Sequence, residues 1–395
     1  MKRFLSYTSL SFFLLLLPTG QASANNNDSI RLSLLTCAPG EEIYSLFGHT
    51  AIRYENSSQG IDVVFNYGLF SFNTPNFIFR FSLGETDYQL GATDYERFAA
   101  EYAFFGRSVW QQTLNLTDEE KTELIRLLQE NYRPENRVYR YNFFYDNCAT
   151  RPRDKIEESI AGKVIYPAEP QDGSLTFRDI VHQYCKGHPW ARFGIDLCIG
   201  SEADQPITQR QMMFAPFYLM DAFDGAQIKG DSIQRPLITA NELVVDATPE
   251  PDESDWMPTP LQCSLLLFIL TAAATIYGIR RRTGLWGIDL FLFGIAGIVG
   301  CVLAFLALFS QHPAVSSNFL LLVFHPGQLL FLPYIIYCVR KGKKCWYLTL
   351  NLAVLTLFIV LFPVIPQRFD FAVVPLALVL LIRSASNLIV TSKKK

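Results

Sequence analysis

The chain changes its hydrophobic rhythm near its middle. From residue 30 to about 245, apolar and polar positions alternate in short stretches, and beyond residue 260 they give way to long apolar runs. In the first region "IRLSLL" (30–35) reads as a strand ended by "CAPGEE". "TAIRY" (50–54) and "DVVFNYG" (62–68) alternate and are β-branched, with "ENSSQG" between them, which predicts a hairpin. "TDYERFAAEYAFFG" carries helical periodicity and stops at Gly106, and "RSVWQQTLNL" is strand-like. "TDEEKTELIRLLQENY" predicts a helix with Thr117 and Glu120 in capping-box spacing. "RVYRYNF" (137–143) reads as a further strand, and "DNCATRPRDKIEESI" opens a helix with Asp146 or Asn147 as its N-cap. This mixed order predicts an α+β domain with a small antiparallel sheet.

In the second region Leu261–Ile279, Ile288–Phe309, Phe319–Val339 and Trp346–Val364 are each long and apolar enough to cross a bilayer as helices. Phe371–Val390 is a fifth candidate, interrupted by Arg383, which at a helix end would snorkel to the interface. The division that follows is a signal peptide at 1–24, an extracytoplasmic domain at 25–245, an acidic proline-rich linker at 246–260 and a transmembrane domain of about five helices at 261–392. Lys2 and Arg3, the apolar run Phe12–Leu17 and Ala22-Ser23-Ala24 have the layout of a cleavable export signal. Basic residues gather on alternate turns, at Arg280–Arg282, Arg340–Lys344 and Lys393–Lys395. This expects a multi-pass inner-membrane protein with the N-terminal domain in the periplasm and the C-terminus in the cytoplasm.

A net charge of −3 offers no case for nucleic-acid binding. Cys37, Cys148, Cys185 and Cys198 lie outside the predicted spans. An exported thiol is expected to pair, to react or to be buried. Cys185 and Cys198 flank a short loop that a disulfide would close, and Cys37 is either a small buried hydrophobe or a partner for Cys148. Cys148 itself opens a predicted helix, where unpaired N–H groups and the helix dipole favour a thiolate and would hold an oxyanion. Of the three histidines in the soluble region, His182 and His188 have no evident partner, whereas His49 opens the hairpin and Asn66 stands on its second strand. Cys148, His49 and Asn66 thus have the types needed for a nucleophile, a base and an orienting group. Arg151 and Arg153 are candidate phosphate ligands, or else salt-bridge partners of Asp146 and Asp154. Tyr145 is a candidate oxyanion donor, and Asn147 belongs to the same candidate substrate-binding stretch. The phenylalanine-rich stretch 65–84 reads as core, or as an apolar groove or interfacial contact. Asn318, His325 and Gln328 are polar groups in the third predicted span, lining a path for lipid or bonding helix to helix.

"GHTAIRY", a polar residue on the next strand and a later "NC" at a helix start resemble the circularly permuted papain-like group, which includes the NlpC/P60 and lecithin:retinol acyltransferase-like enzymes. A longer resemblance runs through "CAPGEEIYSLFGHTAIR", "YNFFYDNCATRPRD", "HPWARFGIDL", the acidic linker and "HPAVSSNFLLLVFHPGQLLFLP". These are similar to the Bacteroidota-type lipoprotein N-acyltransferases. The resemblance implies His49 and Cys148 as catalytic residues, a membrane phospholipid as acyl donor, a diacylated lipoprotein as acceptor, and no cofactor or metal. Two other readings stay open on the residues alone. One is a papain-like thiol hydrolase, acting on the cell wall or on phospholipid. The other is a non-enzymatic membrane receptor whose cysteines are structural.

Overall fold

A computed structural model describes residues 29–71, 73, 75–167, 175–230, 234–247 and 257–392. The expected signal peptide, most of the expected linker and the three terminal lysines lie outside the described residues.

The soluble half is built on a seven-stranded antiparallel sheet in the order β10-β5-β1-β2-β3-β4-β6, larger than the small sheet expected. Its strands are β1 Ile30–Cys37, β2 His49–Asn56, β3 Ile61–Leu69, β4 Asp87–Asp94, β5 Val109–Leu114, β6 Val138–Arg140 and β10 Ile238–Val245. The predicted hairpin forms, with Ala51 opposite Asn66 and Asn56 opposite Ile61. Short strands β7 Lys163–Ile165, β8 Gln227–Lys229 and β9 Gln234–Pro236 make a second sheet.

Each face of the main sheet is covered, as the alternation in its strands requires. Leu32, Leu34, Ile52, Phe65 and Tyr67 pack against Leu124 and Leu128 of helix α3 (Asp118–Tyr132) and Ile156 of α4 (Thr150–Ser159). Leu35, Cys37, Ala51 and Val64 pack on the other face against Phe98 of α2 (Tyr95–Phe104). The Thr117–Glu120 capping box is present, with Glu120 N–H donating to Thr117 Oγ1 at 3.3 Å and Thr117 N–H to Glu120 Oε2 at 2.8 Å. A short helix that the pattern did not predict, α1 (Phe77–Leu83), lies within the phenylalanine-rich stretch. It ends at Gly84, whose φ of 73° is the left-handed conformation that terminates many helices.

In the membrane half, α9 (Pro260–Arg281), α10 (Trp286–Phe309) and α14 (Val373–Ser392) are each long and apolar enough to span a bilayer. The predicted third span is broken. It runs as a 3₁₀ turn at Phe319–Leu322, a short helix α11 (Gly327–Leu330) and α12 (Leu332–Lys341). Pro326 and Pro333 fall at these breaks, and a proline lacks the N–H that a continuous helix needs. The next helix, α13 (Trp346–Leu361), is bent 111° from α12, and together these two pass as one further span by length and composition. Gly297 and Gly300 of α10 let the broken segment approach closely, since a Cβ at either would fall 2.5 Å from the backbone of Leu329 or His325. Arg383 does not snorkel as expected. It is buried and donates to both carboxylate oxygens of Asp289 at 2.7 and 3.0 Å and to Thr275 at 3.0 Å. Facing carboxylate and guanidinium groups inside the bundle satisfy each other, so neither needs to reach water.

The N-terminal half is fastened to the turns that follow α10 and α13 in the membrane half. Gln311 N–H donates to Leu83 O at 2.9 Å, and Gly200 N–H to Ala314 O at 2.7 Å. Arg368 reaches Asp204 at 3.0 Å and Asp179. Asp204 also pairs with the fully buried Arg178 at 2.8 Å, and Arg178 pairs with Asp196 at 2.6 Å. His182, which had no partner in the sequence reading, joins this network through Asp196 at 2.9 Å.

Candidate active site

The sheet brings its candidate residues together at one end, where β1 finishes and β2 begins. Gly48 precedes His49 with φ of 76°, and a Cβ there would stand 2.5 Å from Cys37 O, so only glycine allows the chain to enter β2 this tightly. His49 and Ala51 share a face of β2, and Asn66 stands opposite Ala51, diagonal to His49. The diagonal is bridged: His49 Nε2 and Asn66 Oδ1 are 3.2 Å apart. This fixes Nε2 as the protonated nitrogen of the neutral ring and leaves Nδ1 as the basic one. Burial pushes the imidazole down to about 4, with the Asn66 bond acting against that and the charge of Arg107 adding to it. The neutral form needed for a base therefore persists across the physiological range.

Cys148 lies in the turn just before α4 and is partly exposed. Its Cβ packs 3.4 Å from where a Cβ of Gly68 would be, and Gly68 sits at the irregular end of β3 with φ of 91°. Burial pushes the Cys148 thiol up to about 11, while the backbone N–H groups of Thr50 and of Cys148 itself pull the other way. Thr50 follows His49, so the sulfur and the imidazole belong to one end of the β2–β3 ladder. The expected thiolate is not the resting state, because burial outweighs the helix start. The arginines expected to help are neutralised: Arg151 is bidentate to Asp146 at 2.6 and 2.7 Å and stacks 3.6 Å over Tyr139.

Among the other residues singled out by sequence, Asn147 holds the turn that leads into α4, two residues ahead of the helix N-cap Ala149. Its Oδ1 accepts from the N–H groups of Ala149 and Thr150 at 2.8 and 3.0 Å, and its amide donates to Phe143 O and Phe214 O. This corrects two expectations. Asn147 is buried with its polar atoms engaged in the fold, not presented to a ligand, and the first-turn N–H groups proposed for an oxyanion already have a partner. Arg153 is buried and held by Asp154 and by Arg210 O at 2.8 and 2.9 Å, so it is not presented to a phosphate either. Tyr145 is exposed and packs edge-on against Phe177. His325 is inside the membrane bundle, bonded to Asn351 at 3.3 Å and 3.5 Å from Tyr347.

Three groups were not foreseen, two beside Cys148 and one beside His49. Tyr139 carries a buried hydroxyl with no hydrogen-bond partner, 3.9 Å from the Gly68 Cβ position. Tyr88 stands opposite Tyr139 in the sheet and stacks on Tyr141 at 4.1 Å. Arg107 donates to Ala38 O at 2.8 Å and lies over the Tyr102 ring, held by a carbonyl and a ring face and not by a carboxylate. The sequence signal for Tyr139 was the tyrosine-rich "RVYRYNF", which composition alone reads as core.

All eight cysteines are free. The expected Cys185–Cys198 disulfide is absent because the ten-residue helix α6 (Pro189–Cys198) separates the two ends, about 15 Å of helix against a reach of less than about 7 Å. Cys37 and Cys148 are also unpaired, and burial raises the Cys37 thiol to about 12. Among the described residues no group of three or more His, Cys, Asp or Glu is placed to hold a metal ion.

Residues 20–182 match the family model of the Lnb N-terminal periplasmic domain, and residues 252–395 match that of the Lnb transmembrane domain. No curated protein and no solved structure matches the chain.

Proposed function

The chain belongs to the Bacteroidota-type lipoprotein N-acyltransferases, an inner-membrane family with a periplasmic N-terminal domain, and from that premise we propose that Cys148 carries the acyl group. His49 Nδ1 takes the thiol proton as the sulfur attacks an ester carbonyl of a membrane phospholipid. The proton passes to the leaving glycerol oxygen, a lysophospholipid departs, and an acyl-thioester remains on Cys148. The α-amine of a diacylglyceryl-cysteine then attacks the thioester. His49 removes its proton and returns it to the sulfur, leaving an amide on the lipoprotein and a free thiol. An α-amine has a pKa near 7.7–8.0, so part of it is already neutral at pH 7.

The observation that carries this reading is the His49–Asn66 hydrogen bond at the ladder end where the Thr50 N–H faces Cys148. Asn66 acts as a positioning residue that holds the ring and its tautomer. The Tyr139 hydroxyl, buried without a partner, and the Cys148 N–H are the donors we assign to the oxyanion. Arg107 replaces Arg151 and Arg153 as our candidate for the phosphate. We assign His325 to packing within the bundle. The alternation of basic turns supports five spans with the C-terminus in the cytoplasm, the broken segment 319–341 counting as one and α13, which turns 111° away from it at the basic turn, as the next instead of as its continuation.

The test is intact-mass measurement of the full chain incubated with phospholipid vesicles. An acyl-sized gain on the native chain, absent from Cys148→Ala and released by hydroxylamine or a diacylglyceryl-cysteine peptide, is the expected result. No gain on the native chain, or an equal gain on Cys148→Ala, overturns the assignment. His49→Ala is expected to slow the gain by about 10²–10⁴-fold.

A further inference from the structure

Helix α1 is short, carries Phe77, Ile78, Phe79 and Phe81, and buries none of its residues fully. Ile78 is 76 % exposed, Phe79 57 % and Phe81 40 %, an unusual display for a soluble surface. Its position is fixed by the membrane half. Phe79 packs on Phe305 of α10 at 5.7 Å, and Phe81 lies 5.8 Å from His312. His312 Nε2 also lies 3.1 Å from Phe81 O, while Gln311 N–H donates to Leu83 O at 2.9 Å. Phe305 lies within the last turns of a membrane-spanning helix that ends at Phe309, so α1 stands within about 6 Å of where that helix ends. Leu308 and Phe309 on the same end are exposed as well.

From α1 a run of rings leads inward. Phe77 stacks on Phe70 at 5.4 Å, Phe70 meets Tyr88 at 5.0 Å, and Tyr88 stands opposite Tyr139 in the sheet. The Tyr139 hydroxyl ends the run beside Gly68, on which Cys148 packs. An apolar path therefore joins the end of a membrane span to the nucleophile.

We propose that α1 is embedded in the outer leaflet and that the Phe81–Phe77–Phe70–Tyr88 run, in which Phe81 stacks on Phe77 at 6.3 Å, is the path along which a phospholipid acyl chain reaches Cys148. The occupant is lipid because α1 is continuous with a helix surface that already faces lipid. An apolar helix lying in the headgroup–acyl boundary stabilises itself by burying this area in the leaflet. The second half of the proposal rests on the acyl-transfer reading above, and the first half does not.

Two measurements on the full chain in vesicles of phosphatidylethanolamine and phosphatidylglycerol test the halves separately. With p-benzoylphenylalanine at position 78, irradiation is expected to add one phospholipid mass. The same probe at position 243, an exposed leucine on β10, serves as the control. Lipid capture at 78 no greater than at 243 overturns the embedded helix. For the path, Phe77→Ser with Phe81→Ser is compared with native chain on two donors, vesicle phospholipid and hexanoyl p-nitrophenyl ester in solution. The ratio of vesicle to soluble acylation of Cys148 is expected to fall at least about tenfold. An unchanged ratio overturns the path. Failure of native Cys148 to be acylated by either donor removes the acyl-transfer reading and the path with it, while lipid capture at 78 would still decide the embedded helix.

Discussion

Replacing Gly48 by alanine asks whether His49 works only where the β1–β2 turn holds it. The added methyl group would lie 2.5 Å from the Cys37 carbonyl oxygen, a backbone atom that no side-chain rotation can move aside. Real Cβ contacts stop near 3.0 Å, so one of the two backbones must shift by roughly 0.5 Å or more, in a tightly packed interior. Alanine at φ of 76° adds left-handed strain of about 1–2 kcal/mol. Cys37 and His49 are paired across the ladder, so the shift passes into the imidazole. Misplacement on this scale is expected to slow acylation of Cys148 by about 10–100-fold. The assay is the initial rate of acyl-sized mass gain, with the melting temperature measured alongside. Gly60→Ala is the control, since Gly60 has φ of 65° but nothing within 4 Å of its Cβ position, in the distal turn of the same hairpin. It carries the same kind of strain and should lose a similar small amount of stability while keeping its rate. A Gly48→Ala chain that acylates within about twofold of native would refute the argument that this glycine sets the geometry of the base.

Three further outcomes follow from groups already described. Because the Cys148 thiol is raised to about 11, it is neutral at pH 7, and its alkylation by iodoacetamide should climb steadily with pH through 9 and level only near 11. A plateau below pH 8 would mean a resting thiolate and defeat this account. His49 is lowered to about 4, so acylation should hold its rate as pH falls from 7 and lose it only near 4, where the ring protonates. An acid limb near 6.5 would show an unperturbed histidine. Arg383→Leu leaves Asp289 as an unpaired charge in the bundle and should cost about 3–5 kcal/mol, read as a loss of thermal stability in detergent. Adding Asp289→Leu to the same chain should recover most of that loss, and no recovery would show that the pair does not act as a unit.

His49 and Asn66 were legible because a hairpin with a short turn fixes its own register, and a period of two decides which side chains share a face. The role of Gly48 was half visible, since a glycine before a strand marks a tight turn, but the carbonyl it avoids lies eleven residues away. Asn147 was read as one of two possible N-caps and as a ligand, whereas the N-cap of α4 is Ala149 and Asn147 closes the turn ahead of it. The same amide cannot also serve a ligand once its oxygen holds two N–H groups. Tyr139 was out of reach because β6 has three residues and gains its place only by pairing with β4. In the membrane half hydropathy found the apolar runs but not the break near Pro326 and Pro333, which window averages smooth over. The partner of Arg383 lies 94 positions away, and a charge read singly suggests snorkelling where a charge read in its pair does not.

The network of Arg178, Asp179, Asp204 and Arg368 fastens the periplasmic domain directly to a membrane turn. Gln311 with Leu83 fastens it at a second point. With Gly200 held to Ala314 as a third, the anchors fix an orientation where two would leave a hinge. The sulfur of Cys148 is thereby carried at one set altitude over the bilayer, and the domain becomes a ruler. It cannot stoop to a partner whose reactive end lies too deep or rise to one standing too high. Selection among membrane-tethered proteins would then be made by tether length before any pocket inspects their chemistry.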